Sequence, residues 1–181
     1  PEATMTENIL LTGISGFIAK HVAAKLLNAG FTVRGSLRRL DRADEVRAAL
    51  AGVVPAEALA RLSFVALDLE TDAGWEQAMQ DVDVLVHTAS PFPIAQPKDE
   101  MVLIRPAVEG TLRALRAAKA AGVGRVVLTS STAAVTDSGK TGVQDETDWC
   151  DADAADTSAY SKSRHWQSGR RGISARRKGW R

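Results

Sequence analysis

A segment with regularly spaced small residues directly follows the first apolar run of the chain. The run at residues 8–12 has the sequence NILLT. Gly13, Gly16 and Ala19 follow it at the spacing G-x-x-G-x-x-A. In a strand–turn–helix unit that binds a dinucleotide, these positions allow a tight turn, a close approach to a pyrophosphate and close helix packing. The helix N-terminus adds free N–H groups and a positive dipole end, so the pattern favours dinucleotide binding over a plain strand-to-helix turn.

The rest of the chain alternates between predicted strands and predicted helices. Short apolar runs indicate strands, and apolar residues at helical spacing indicate helices. Such alternation requires right-handed crossovers and gives a parallel sheet with helices on both faces. The predicted fold class is therefore α/β, a doubly wound parallel sheet of the Rossmann type. A second strand is predicted to start at 31–33, and further strands are predicted at 62–67, 82–88 and 125–129. The helices are predicted at 17–29, 41–50, 55–62, 74–80 and 101–121.

The composition is that of an ordinary soluble domain. The chain has 181 residues, of which 45% are hydrophobic and 25% charged, and this length predicts one domain. No apolar run is long enough to cross a bilayer, and the N-terminal residues lack the pattern of a secretory signal. The single cysteine, Cys150, excludes a disulfide framework, and three scattered histidines offer no metal-ligand spacing. We therefore expect a cytoplasmic protein with no metal and no membrane segment.

The end of the predicted second strand indicates which nucleotide the chain prefers. NAD-binding chains usually place Asp or Glu there for the ribose 2′-hydroxyl, whereas an arginine accommodates a 2′-phosphate. Residues 33–39 have the sequence VRGSLRR, and the first acid after them is Asp41. The pattern favours NADP(H), with the fork-shaped donor Arg38 on the phosphate. The alternative is that these arginines form only a solvated rim.

Seven stretches of the chain, in one order, match a known family. They are LTGISGFIAKH at 11–21, VRGSLR at 33–38, DL at 68–69, HTASPF at 87–92, VEGTL at 108–112, VLTSS at 127–131 and YSKSR at 160–164. On these stretches the chain resembles the extended short-chain dehydrogenase/reductases of the NAD-dependent epimerase/dehydratase superfamily. Within them it is most similar to the branch of dihydroflavonol reductases and NADPH-dependent aldehyde and ketone reductases. The resemblance covers about residues 5–164.

The resemblance implies a set of cofactor-binding residues. It implies that Asp68 and Leu69 contact the adenine and that residues 88–90 line the cofactor near the nicotinamide half. The full implied set is Gly13, Gly16, Phe17, Ile18, Arg38, Asp68, Leu69, Thr88, Ala89 and Ser90.

The same resemblance implies a catalytic serine, Ser131, and a catalytic tyrosine, Tyr160. Reduction of a carbonyl by hydride leaves an alkoxide that must be protonated as it forms. A tyrosine hydroxyl can donate that proton when a nearby cation lowers its pKa, and a serine hydroxyl can hydrogen-bond the carbonyl oxygen. We therefore predict NADPH-dependent reduction of an aldehyde, ketone or dihydroflavonol-like substrate to an alcohol.

The residue four positions after Tyr160 departs from the family's Tyr-x-x-x-Lys pattern. That position, one helical turn away on the same face, holds Arg164, whereas Lys162 is expected to face elsewhere. Arginine keeps the positive charge, and we assign it the lysine's catalytic place, but its planar head group is bulkier. Two alternatives therefore stay open: a nucleotide-sugar epimerase or dehydratase with the same core, and a non-catalytic NADP-binding module.

The basic residues are concentrated at the C-terminal end. Residues 1–161 carry a net charge of −7, and residues 162–181 carry eight basic residues and no acid. Residues 165–174, HWQSGRRGIS, show no apolar stripe, and GC-rich codons for them encode LAERAAWDF, an amphipathic helix, in a shifted frame. We therefore expect residues 1–164 to form the NAD(P)-binding domain and residues 165–181 to be an atypical tail with a frameshifted stretch. The alternatives are a genuine basic tail and, less favoured, a nucleic-acid-binding arm.

The resemblance also implies missing parts. Family members continue with a sixth strand and a smaller C-terminal substrate region, so the chain is expected to be truncated. An incomplete sheet leaves an open edge, and we therefore expect self-association as well as a small-molecule carbonyl substrate.

Overall fold

Helices and strands alternate along the chain as predicted. The computed structural model describes residues 7–92, 97–137, 139–145 and 147–169. The strands are β1 (Asn8–Thr12), β2 (Thr32–Leu37), β3 (Leu62–Ala66), β4 (Val84–His87) and β5 (Arg125–Leu128). The helices are α1 (Phe17–Asn28), α2 (Ala43–Ala51), α3 (Ala56–Leu59), α4 (Trp75–Ala78), α5 (Met101–Ala120), α6 (Ala133–Thr136) and α7 (Ala159–Ser168), with a 3₁₀ turn at Leu40–Arg42.

The five strands form one sheet in the order β3-β2-β1-β4-β5. Strand β1 pairs in parallel with β2 and with β4, and β2 pairs in parallel with β3. The chain therefore winds outward from β1 in both directions, which confirms the doubly wound α/β fold. In such sheets ligands bind outside the carboxyl ends of the strands, at the point where the winding reverses. That point lies between β1 and β4.

The described residues group into two compact units. The first consists of the described parts of Pro1–Ala89 and Arg113–Val127, and the second of those of Ser90–Leu112 and Leu128–Arg181. No helix among the described residues is long and apolar enough to span a membrane.

The core of the first unit forms between the sheet and its helices. Helix α1 presents Ala19, Ala23 and Leu27 at intervals of four residues, and all three are buried. This spacing puts them on one face of the helix. On β1, Ile9 and Leu11 join the same core cluster. The intervening Leu10 is also fully buried, and because strand side chains alternate, β1 is covered on both faces.

Helix α7 in the second unit begins and ends at specific caps. The Ser158 hydroxyl accepts a hydrogen bond from Ser161 N at 3.1 Å. At the other end Gly169 takes a left-handed conformation, φ 115°, and its N–H donates to His165 O. Serine at the N-cap and glycine after the last turn are the preferred residues at these positions. The helix therefore crosses residue 164 and ends at Ser168, and residues 170–181 lie outside the described residues.

Gly35 on β2 is enclosed by the side chain of Ile14. A Cβ at position 35 would lie 2.4 Å from Ile14 Cδ1, 2.8 Å from Cγ2 and 3.0 Å from Cβ. Ile14 is fully buried. Because its Cβ is also close, rotation of the Ile14 side chain cannot make room, and β2 needs glycine at this point.

We expect Gly35→Ala to lower the free energy of unfolding by about 1–3 kcal/mol, because it overpacks a filled core. Gly52, after α2, has a helical backbone and no atom within 4 Å of an added Cβ. Gly52→Ala is the matched control and should change stability by no more than about 0.5 kcal/mol. Urea unfolding measures both variants, and equal losses would contradict the close packing around Gly35.

Candidate functional site

The loop after β1 is shaped by hydrogen bonds from its own backbone. Gly13 N donates to Ser36 Oγ at 3.1 Å, and Ile14 N donates to Ser36 O at 3.1 Å. Gly16 N donates to Gly13 O at 2.9 Å, which closes the turn. Gly13 has φ +70°, and a Cβ there would lie 3.1 Å from both Cα and Cβ of Ala89. A side chain at position 13 would therefore be strained by the backbone conformation and crowded by Ala89, which fits the first glycine of a dinucleotide loop.

The Thr12 hydroxyl connects the carboxyl ends of β1 and β4. It accepts hydrogen bonds from Thr88 N and Ala89 N, both at 3.1 Å, and shares one with His87 Nδ1 at 2.9 Å. Thr88 Oγ1 donates in return to Thr12 O. Thr12 is 1% exposed, so these bonds are shielded from water. The predicted residues Thr88 and Ala89 are thereby fixed against the glycine loop.

The N-terminus of α1 is suited to a negatively charged ligand group. Gly16 is its N-cap in an extended conformation, with no side-chain cap and no acidic residue in the first turn. The first N–H groups of a helix have no partner within the helix. Phe17 and Ile18, at this end, are 76% and 62% exposed. The helix start thus offers backbone donors beside two exposed apolar side chains.

An arginine-lined cavity of about 450 Å³ lies at the end of β2. Its lining residues are Ser15, Leu37, Arg38, Arg39, Arg42 and Asp68.

Two of the three arginines in this cavity are paired with nearby acids. Arg39 Nε lies 3.5 Å from Asp41, and Arg42 forms two hydrogen bonds of 2.9 Å with Glu45. The hydrogen bond from Arg42 lowers the pKa of the Glu45 carboxyl. Within the described part of the chain, Arg38 forms neither a hydrogen bond nor an ion pair. Arg38 is therefore the arginine available to an anionic ligand.

The turn that carries Asp68 and Leu69 is held from both sides. Asp68 Oδ1 accepts from Glu70 N at 3.0 Å, and the buried Trp75 donates from Nε1 to Asp68 O at 3.1 Å. Arg113 on α5 donates to Leu69 O and forms an ion pair with Asp72. No local pattern in the sequence indicates this support, because Arg113 lies more than 40 residues away along the chain.

In the second unit, α7 places a guanidinium group on a tyrosine ring. The guanidinium carbon of Arg164 lies over the Tyr160 ring, 5.0 Å from its centroid. The ring of Phe92 meets Tyr160 edge-on at 5.2 Å. Ser131, in the same unit, accepts a hydrogen bond from Ala133 N at 3.2 Å. The spacing of four residues therefore brings Tyr160 and Arg164 into contact, as the sequence predicts.

Arg164 is a buried cation with one unsatisfied donor. It is 8% exposed, and its Nη1 donates to Gln167 Oε1 at 2.7 Å. Its Nε is buried and has no hydrogen-bond partner among the described residues, and the same is true of Ser90 Oγ. Lys162 instead forms an ion pair with Glu100 at 3.0 Å, so it faces away from Tyr160 as expected.

Cys150 is not arranged as a nucleophile. It is 2% exposed, and burial raises the pKa of its thiol, which keeps it in the less reactive protonated form. No group of three or more His, Cys, Asp or Glu in the described part of the chain is placed to hold a metal ion.

A family model described as "NAD dependent epimerase/dehydratase family" matches residues 9–168. The chain belongs to this family. The resemblance stated from the sequence motifs is thereby confirmed.

This epimerase/dehydratase family member is similar to several reductases. Dihydroflavonol 4-reductase from Zea mays is 35% identical over 147 residues, 80% of this chain and 40% of that protein. Ketoreductase azaE from Aspergillus niger is 35% identical over 138 residues, 73% of this chain and 40% of that protein. The crystal structure of the yeast methylglyoxal/isovaleraldehyde reductase Gre2 with NADPH matches with a TM-score of 0.73 and 29% identity, over 89% of this chain and 50% of Gre2. The family member thus spans half or less of each of these relatives.

We expect Gly13→Ala to destabilise this family member more than Gly30→Ala does. Gly30 also has a positive φ, +99°, but no atom lies within 4 Å of an added Cβ. Both variants incur the backbone cost of about 1–2 kcal/mol, and only Gly13→Ala adds overpacking against Ala89, about 1–3 kcal/mol. Urea unfolding of the two variants measures the difference, and equal midpoints would show that the loop can move away from Ala89.

Proposed function

We propose that the chain binds NADPH and reduces a small-molecule carbonyl compound, an aldehyde, ketone or dihydroflavonol-like ketone, to an alcohol. The observation that carries the proposal is the Tyr160–Arg164 pair, a proton donor beside a buried cation on one helix. The similarity to a ketoreductase, a dihydroflavonol reductase and an NADPH-bound aldehyde reductase supports the same class of reaction.

The residues of the first unit fit an NADP nucleotide. Gly13 has no side chain at the point where the loop lies against Ala89, so a ligand can approach the backbone there. The N-terminus of α1 has no side-chain cap and offers N–H donors to a pyrophosphate. Arg38 has no acidic partner among the described residues, so it is available to a 2′-phosphate, and Asp68 lines the same cavity. Leu69, Phe17, Ile18, Thr88 and Ala89 complete the proposed cofactor-binding set in this unit. Ser90, the remaining member of the set, belongs to the second unit.

NADPH, when bound, supplies the hydride. The proposed role of the Ser131 hydroxyl is to donate a hydrogen bond to the carbonyl oxygen, which gains negative charge as the bond order falls. Tyr160 donates its hydroxyl proton to that oxygen and is left with a negative charge. The Arg164 guanidinium against its ring stabilises this charge, because attraction between opposite charges is strong in a water-poor environment.

A second candidate function is an NADP-binding module without turnover. It is favoured by Arg164, which stands in place of the family's lysine. In both functions the first unit binds the nucleotide. Only in the reductase do Ser131 and Tyr160 act on a carbonyl substrate.

We expect Arg38→Gln to weaken NADPH binding by about 10- to 100-fold, the value of one charged hydrogen-bonding contact of about 1.5–3 kcal/mol. NADH has no 2′-phosphate, so its affinity should stay unchanged. Arg39→Gln is the matched control, because Arg39 is already paired with Asp41. Titration calorimetry measures all four affinities, and an equal loss for NADPH and NADH would place Arg38 away from the phosphate.

We expect Tyr160→Phe to lower the turnover of NADPH with an aldehyde or ketone by about 10²- to 10⁴-fold, because it removes the proton donor. Ser131→Ala should also lower turnover, and neither variant should change NADPH affinity. NADPH oxidation at 340 nm with a panel of aldehydes, ketones and a dihydroflavonol measures the effect. NADPH binding without turnover by the unaltered chain would establish the non-catalytic module instead.

A further inference from the structure

We propose that Gln167 and Thr111 are positioning residues that hold the Arg164 guanidinium against the Tyr160 ring. The three side chains form a hydrogen-bonded line, Thr111–Gln167–Arg164, hereafter the relay, within the second unit. The proposal deepens the proposed function, because it assigns the control of the cation beside the proton donor to residues outside the family's Tyr-x-x-x-Lys motif.

Both ends of the Gln167 amide are engaged. Its Oε1 accepts from Arg164 Nη1 at 2.7 Å, and its Nε2 donates to Thr111 Oγ1 at 3.0 Å. Gln167 and Thr111 are each 1% exposed. Since Thr111 lies on α5 and the other two residues on α7, the relay ties the orientation of one side chain on α7 to a second, longer helix.

Arg164 needs such a fixed partner. Its side chain has many rotamers, and ordering a long side chain costs conformational entropy. The described residues provide no carboxylate for its guanidinium, so the bond to Gln167 is the directional contact that selects the orientation over Tyr160. A neutral amide leaves the positive charge of Arg164 undiminished, whereas a carboxylate would neutralise much of it.

The test uses the fact that Tyr160 is the single tyrosine of the 181 residues. When the protein is produced with tyrosine that carries ¹³C at the ring ε carbons, the labelled NMR signals come from the Tyr160 ring alone. The variants are Gln167→Met, which keeps the length and removes both hydrogen bonds, and Thr111→Val, which removes the hydroxyl at the end of the relay. Arg164→Met supplies the reference shift for a ring without its guanidinium.

One further variant separates positioning from general loss of buried polar contacts. Thr157→Val removes another buried threonine hydroxyl of the second unit, one that donates to Asp151 O at 2.7 Å outside the relay.

We expect Gln167→Met and Thr111→Val to move the Tyr160 signal in the direction that Arg164→Met moves it. The double variant should move it no further than the larger single change, because the two residues act through one line of bonds. Thr157→Val should leave the signal in place. An unmoved signal in Gln167→Met, or an equal movement in Thr157→Val, would overturn the proposal. If Gln167→Met does not fold, the comparison of Thr111→Val with Thr157→Val decides in the same way.

The outcome is independent of turnover. A chain that reduces no carbonyl but shows the expected NMR changes refutes the proposed reaction and retains the relay. An active chain in which Gln167→Met leaves both the signal and kcat unchanged refutes the relay alone. When both hold, Gln167→Met lowers kcat and leaves the KM for NADPH unchanged, because the cofactor-binding residues of the first unit are intact.

Discussion

The buried Thr12 hydroxyl joins the carboxyl ends of β1 and β4, and the shape of the glycine loop depends on this contact. By accepting from the N–H groups of Thr88 and Ala89, it draws the residues after β4 toward Gly13. That approach crowds a Cβ at position 13, where the positive φ already favours glycine. The Thr12 hydroxyl thus adds to the preference for glycine one residue later, and the same hydroxyl holds Thr88 and Ala89 in place. A buried N–H without its acceptor is costly, so the arrangement is held as a unit.

Ion pairing distinguishes Arg38 from the other two arginines at the end of β2. Arg39 and Arg42 have acids two and three residues further along the chain, and local pairing neutralises them. Among the described residues, no acid forms an ion pair with Arg38. Which of the three arginines stays unpaired therefore depends on the acids that follow each of them closely in the sequence. The structure adds the ion pairs that Arg39 and Arg42 form with these acids.

The sequence predicted the fold well because each main element carries a local signal. The predicted strand 62–67 and helix 101–121 differ from Leu62–Ala66 and Met101–Ala120 by one residue each. The single-turn helix α6 and the 3₁₀ turn at Leu40–Arg42 were not predicted, since three or four residues show no periodicity. In the candidate site, the motifs predict roles for Gly13, Arg38 and Tyr160, but they do not predict the residues that hold the site in place. Thr12, Ser36 and Arg113 act on partners 23 to 77 residues away, and no pattern along the chain indicates such contacts.

The two units fix their functional groups by different physical means. In the first, side chains bond to the backbone and so define the path of a loop, whereas in the second, side chains bond to each other and so aim a charge. Buried polar residues of this kind add little net stability, but they favour one orientation over others.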